Sequence, residues 1–170
     1  MKLFAIYIGG EVERANIEVH DIRFVVARTI GDTHAELRRQ WWGIPKSLHI
    51  DCWAEISDID GYRVTLRSDP FTGPEKLYYV NLGGYDPAEF LEKHKNMFVV
   101  ASTVSDAKKR AISAVKQWHA PHRDEMYEAE QAFSLNESAR EQRLYLHLER
   151  FAETKNLSFV CNYTPIATPG

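Results

Sequence analysis

Lys2-Leu-Phe-Ala-Ile-Tyr-Ile-Gly-Gly10 returns, 74 residues on, as Lys76-Leu-Tyr-Tyr-Val-Asn-Leu-Gly-Gly84. Laying residues 2–32 over 76–106 without gaps gives 12 identities in 31 positions; chance at ordinary composition gives roughly two. Self-similarity at a fixed displacement is how a repeated structural unit shows itself in sequence. The chain therefore reads as two copies of one unit, residues 1–68 and 75–170. Between them, the turn formers of Ser68-Asp-Pro-Phe-Thr-Gly-Pro74 make residues 69–74 a linker.

Working outward, residues 3–8 predict a buried strand ending at a Gly-Gly turn, and Phe24-Val-Val-Ala27 a second strand. Asp32 stands at an N-cap position before a helix over 33–42, which Gly43 and Pro45 stop. Residues 47–56 and 62–66 predict two more strands, joined through Asp60-Gly61, a hairpin signal. In the second copy, Asp86-Pro87 predicts a short helix over 87–94. Phe98-Val-Val-Ala101 repeats the second strand, and Ser105 or Asp106 opens a helix running to Trp118. Its apolar stripe Ala107, Ala111, Val115 and Trp118 matches Thr33, Leu37, Trp41 and Ile44. Strands over 125–133 and 143–148 follow, separated by a longer connection over 134–142. The tail Leu157–Tyr163 is an extra strand with no counterpart. Each unit is thus ββαββ, an α+β order. The expected fold is a β-grasp-like roll, with a ferredoxin-like split as the alternative, and the copies pack pseudo-symmetrically.

The 170 residues are 44% hydrophobic and 26% charged with a formal charge of −3, the balance of an ordinary globular chain. That charge argues against a dedicated nucleic-acid or anionic-membrane binder. Cys52 and Cys161 form no CxxC pair, so reduced thiols in a cytoplasm are the expectation. The N-terminal apolar run is too short for a signal peptide, and no run of about 18 apolar residues occurs. A cytoplasmic protein without a membrane partner is expected.

His20-Asp-Ile-Arg-Phe-Val-Val26, Leu37-Arg-Arg-Gln-Trp-Trp-Gly43, Leu48-His-Ile-Asp51 and Asp60-Gly-Tyr62 together resemble a bacterial family, domain of unknown function 1543. The resemblance covers most of the first copy and more weakly the second. It implies a bacterial cytoplasmic protein and carries no activity, substrate or catalytic residue.

The chemistry-bearing residues that repeat are histidines and aspartates. His20 matches His94, and His49-x-Asp51 matches His122-x-Asp124. On a strand, residues two apart share a face, so each His-x-Asp presents an imidazole and a carboxylate together. His20, His49 and Asp51 would suffice for a metal if they converge; otherwise they cap strand ends. No specific motif implies a cofactor, and a divalent metal is left open. The Gly-Gly pairs lack the rest of a phosphate loop and are read as positive-φ turns or as places where the two copies' backbones approach. Trp41 falls on the core stripe and matches Val115, whereas Trp42 matches Lys116 and is the candidate binding surface. Arg38, Arg39, Lys108, Lys109 and Arg110 form basic helix faces, and Cys52 has Glu125 as its counterpart.

With no catalytic motif, the favoured expectation is a non-catalytic small-molecule- or protein-binding protein whose halves shape a groove at their junction. A metal-dependent hydrolase or metal-binding protein using the repeated histidines is second, and a nucleic-acid-binding module third.

Overall fold

The opening stretch forms strand β1 (Lys2–Gly10), and its relative forms β6 (Lys76–Tyr85). The computed structural model describes residues 1–133, 142–151 and 157–166. Both strands carry apolar residues on both faces, as a strand covered on two sides requires, and each has a partner on either edge. β2 (Val19–Ala27) and β3 (His49–Glu55) flank β1. β7 (Glu92–Ala101) and β8 (His119–Glu128) flank β6. All four pairings are antiparallel.

One face of each central strand looks at a helix. Phe4, Ile6 and Ile8 pack with Trp41 and with Leu37 of α1 (His34–Gln40). Tyr78, Val80 and Leu82 pack with Val115 and with Ala107 and Ala111 of α2 (Val104–Ser113). The alternate residues Leu3, Ala5, Leu77 and Tyr79 share a single core with Phe24, Val26 and Val100. The two sheets therefore lie face to face, each with a helix on its outer side, a mixed α+β arrangement.

Several expected elements form differently. The Asp60-Gly61 turn is present, with φ of 54° and 80° at its two residues, and it joins β4 (Asp58–Ile59) to β5 (Tyr62–Arg67). β5, however, pairs with β9 (Tyr145–Arg150) rather than with β3. β3 has no free edge to offer, because β10 (Val160–Pro165) occupies it. The result is a separate β4-β5-β9 sheet drawn from both halves of the chain, where the β-grasp reading required two strand pairs around each helix.

The helix expected over 87–94, on which the ferredoxin-like alternative leaned, is a turn at Asp86. The Asp86 carboxylate accepts from Ala88 N and its carbonyl from Glu89 N, and β7 begins at Glu92. Residues 129–133, expected as strand, are a helix, α3 (Ala129–Phe133). Its Ala129 and Phe133, four apart, both enter the shared core. α1 stops at Gln40 because Trp41 turns extended, at φ −72° and ψ 130°, and α2 stops at Ser113 rather than Trp118. Thr103, not Ser105 or Asp106, caps α2 by accepting from Asp106 N. Asp32 lies within a 3-10 turn and accepts from Thr29.

The extra strand at the tail is real, and it joins the first half's sheet. It brings Cys161 opposite Cys52, and the two are disulfide-bonded. The expectation of reduced thiols is thereby corrected: residues 109 apart in sequence meet because β10 pairs with β3. The connection expected over 134–142 lies almost wholly outside the described residues. Among the described residues no helix is long and apolar enough to cross a membrane.

Candidate metal centres

Gly9 is the direct partner of His20 on β2 and of His49 on β3, so the two imidazoles stand on either side of it on one face. Glu18, two residues before His20, shares that face. Asp51 is the extra residue of a β-bulge, where the register slips between Tyr7–Cys52 and Ile8–Ile50. Bulges re-aim side chains, and this one turns the Asp51 carboxylate onto the same spot. His20 Nε2 lies 3.2 Å from Glu18 Oε1 and 3.4 Å from Asp51 Oδ2. His49 Nε2 lies 3.6 Å from Glu18 Oε2 and 3.4 Å from Asp51 Oδ1.

The second half builds the same arrangement on Gly83, which partners His94 and His122. Asp124 is again the residue skipped by a register slip, between Asn81–Glu125 and Leu82–Arg123. His94 Nε2 is 3.6 Å from Glu92 Oε2 and 3.4 Å from Asp124 Oδ2. His122 Nε2 is 3.0 Å from both Glu92 Oε1 and Asp124 Oδ1. Glu18, His20 and His49, and likewise Glu92, His94 and Asp124, each offer donor atoms within 4.8 Å of one another. Donors about 2.0–2.1 Å from one tetrahedral ion stand roughly 3.3 Å apart, so this is ligand-to-ligand spacing.

The protonation pattern explains why a cation suits these spots. The His49 Nδ1 lies 2.9 Å from the Ser47 carbonyl and the His122 Nδ1 2.9 Å from the Ala120 carbonyl. A carbonyl only accepts, so each Nδ1 carries the proton and, in the neutral ring, each Nε2 turns a lone pair toward two carboxylates. Among the described residues, His49 Nε2 and Asp51 Oδ2 are buried with no hydrogen-bond partner. Acceptors facing acceptors are unfavourable unless a proton or metal ion sits between them. The Ala120 carbonyl, with Asp124 and Glu92 beside it, holds His122 above the ordinary imidazole pKa.

The glycines make the space. A Cβ on Gly9 would lie 2.7 Å from His49 Nε2 and 3.0 Å from Asp51 Oδ2; on Gly83 it would lie 2.6 Å from both His122 Nε2 and Asp124 Oδ2. The second glycine of each pair lies beneath an indole, Gly10 under Trp41 and Gly84 under Trp118, where a Cβ would come within 2.7 Å. This corrects two expectations. The Gly-Gly pairs are strand residues without positive φ, crowded mainly by side chains of their own half of the chain rather than by backbone of the other half. Trp118, not Val115, takes the place of Trp41.

The two clusters differ in cover. The His49 side chain is 3% exposed and that of His122 41%, because β10 lays Tyr163 on His49 at a ring separation of 4.4 Å. Tyr7 stacks on His20 at 5.4 Å. Both clusters open onto one cleft of about 290 Å³ in the seam between the sheets, lined by Tyr7, His20, Tyr79, His94 and Tyr127 among others.

All six histidines and aspartates singled out in the sequence are thus brought into two groups of three. Glu18 and Glu92 were missed, although they are identical at the 74-residue displacement and stand two residues before the paired histidines. Trp42 is exposed, tilted against Trp41 at 5.5 Å, and belongs to neither cluster. Cys52 adjoins Asp51 but is held in the disulfide, so it offers no thiol nucleophile.

The family described as Domain of Unknown Function (DUF1543) matches residues 15–66, a span that contains Glu18, His20, His49 and Asp51. The solved structure of a protein Il1583 from Idiomarina loihiensis is similar at 31% identity, covering 99% of each chain with a TM-score of 0.74. The chain belongs to the domain-of-unknown-function family 1543. No curated protein matches it.

Proposed function

We propose that this is a divalent-metal-binding protein made of two copies of one unit, each copy holding one ion over its first strand glycine. The observation that supports it is convergence: in each half two imidazole nitrogens and two carboxylates meet at 3.0–3.6 Å over a glycine whose Cβ would fill the gap. Glu18, His20, His49 and Asp51 would hold the first ion; Glu92, His94, His122 and Asp124 the second. The Ser47 and Ala120 carbonyls orient the inner imidazoles, as outer partners of metal-bound histidines do. Mixed imidazole and carboxylate donors suit zinc and its first-row divalent neighbours. With three of the four side chains ligating, or with a fifth ligand taken up, such an ion would keep a position from which to polarise a carbonyl or phosphoryl oxygen, or activate water, for anything lodged in the cleft. The duplication reading gains support from the same bulge, the same glycine and the same indole recurring in each half.

The basic helix faces lend the nucleic-acid alternative little, since Arg39 pairs with Glu36 and Arg110 with Asp60. The test is calorimetric titration of chelator-stripped protein with zinc. Two ions per chain are expected, falling to one in His49→Ala or His122→Ala and to none in the double variant. Uptake of no ion, or uptake indifferent to both substitutions, removes the proposal.

A further inference from the structure

Beyond the two candidate ion sites, the seam holds a second feature. The cleft shares Tyr7, Ile22 and Asn96 with an adjoining pocket of about 180 Å³. The character of the walls changes across those shared residues. On the cleft side stand imidazoles, carboxylates and amides; on the pocket side stand Ala5, Ala54, Trp53, Phe98 and Phe159. An apolar cavity of about 150 Å³ accommodates benzene, so this pocket takes one ring and not two.

At the junction stand two hydrogen-bond donors. Asn96 Oδ1 is used up, accepting from Tyr79 Oη at 2.7 Å and Asn81 Nδ2 at 2.8 Å, which leaves the Asn96 amide NH2 to donate. The Tyr7 phenol, like any tyrosine hydroxyl at neutral pH, keeps its proton and can donate. Tyr7 also stacks on His20, which places it between the ring pocket and the first candidate ion.

We propose that the seam is a binding site for a small aromatic acid. Its single ring occupies the Trp53–Phe98–Phe159 pocket, and its carboxylate meets Tyr7, Asn96 and the ion held by His20. The inference rests on the metal-binding reading, because Asp21, Asp51 and Glu125 around the cleft would repel a carboxylate without a cation between them. With the ion in place, the donors and the positive centre all face the acid's oxygens, and the ring removes its own apolar surface from water.

The test uses the full chain loaded with zinc, its metal content counted before and after, titrated calorimetrically with phenylacetate and, separately, with acetate. Saturable phenylacetate binding is expected, with acetate at least about tenfold weaker for want of the ring. Phe159→Ala is expected to weaken phenylacetate about fivefold with metal content unchanged; Phe159 is exposed, so folding is not at stake. Tyr7→Phe is expected to weaken it by a similar factor. The stripped chain is expected to bind at least about tenfold more weakly. A chain that takes up no zinc fails the metal-binding reading before any acid is added, which keeps the two failures apart. Two bound ions with no saturable phenylacetate binding overturn the inference. So does phenylacetate binding equally with and without metal, or unaltered by Phe159→Ala and Tyr7→Phe.

Discussion

Gly9 lies directly beneath His49, and a methyl group on Gly9 would stand 2.7 Å from the imidazole nitrogen that faces the carboxylates. Gly83 stands in the same relation to His122, at 2.6 Å. Neither glycine has a positive φ, so backbone freedom is not why it is there. The missing side chain leaves the space in which the proposed ion would sit. Gly9→Ala is therefore expected to remove one metal per chain and leave the second, and Gly83→Ala the converse. Overpacking the strand adds a cost of about 1–3 kcal/mol, readable in urea unfolding. Metal counts that stay at two in both variants contradict this.

Glu18→Gln separates a metal from a mere hydrogen-bonded cluster. The amide keeps the size and an acceptor but removes the charge, so zinc affinity at the first site is expected to fall by at least about tenfold. Glu92→Gln is expected to do the same at the second. Site-resolved titration in the background of the other site's histidine variant provides the reading.

How the sequence foretold this is uneven. The repeat pointed to the central strands, and the His-x-Asp spacing pointed to shared faces, because strand periodicity is a local property. Glu18 escaped because it lies in a polar stretch that reads as connection. The bulges at Asp51 and Asp124 escaped because register is set by the pairing partner, not by the strand's own residues. The pairing of β5 with β9 and of β10 with β3 is long-range, and nothing in Tyr62–Arg67 names its partner. The disulfide followed from that pairing and was equally hidden. The turn at Asp86 shows the reverse error: a capping residue and a proline suggested a helix that β7 displaced by starting at Glu92.

The Cys52–Cys161 bridge ties β10 across the first site, where Tyr163 covers His49. Removing it with Cys52→Ser, or by adding a dithiol reductant, is expected to cost about 2–4 kcal/mol of stability. It should also speed metal release from the first site while the second, which has no such strand among the described residues, is unchanged. Chelator-driven release kinetics in the single-site variants check this; equal acceleration at both sites would tell against it.

Asp60 does more than turn a hairpin. Its carboxylate accepts from Val100 N at 2.8 Å and pairs with Arg110, while Arg110 also donates to the Val100 carbonyl at 2.7 Å. One residue of the first half thus clamps strand β7 and helix α2 of the second. Asp60→Ala is expected to destabilise the protein by about 1.5–3 kcal/mol, measured by denaturant unfolding, with both metals still bound. Unchanged stability would remove the clamp.

The most direct test of the account is anomalous diffraction from crystals of the zinc-loaded chain. Two peaks are predicted, one over Gly9 within about 2.0–2.2 Å of donors from Glu18, His20, His49 or Asp51, and one over Gly83 among their counterparts. A zinc-loaded crystal with no peak at either glycine, or with ions held elsewhere, contradicts it.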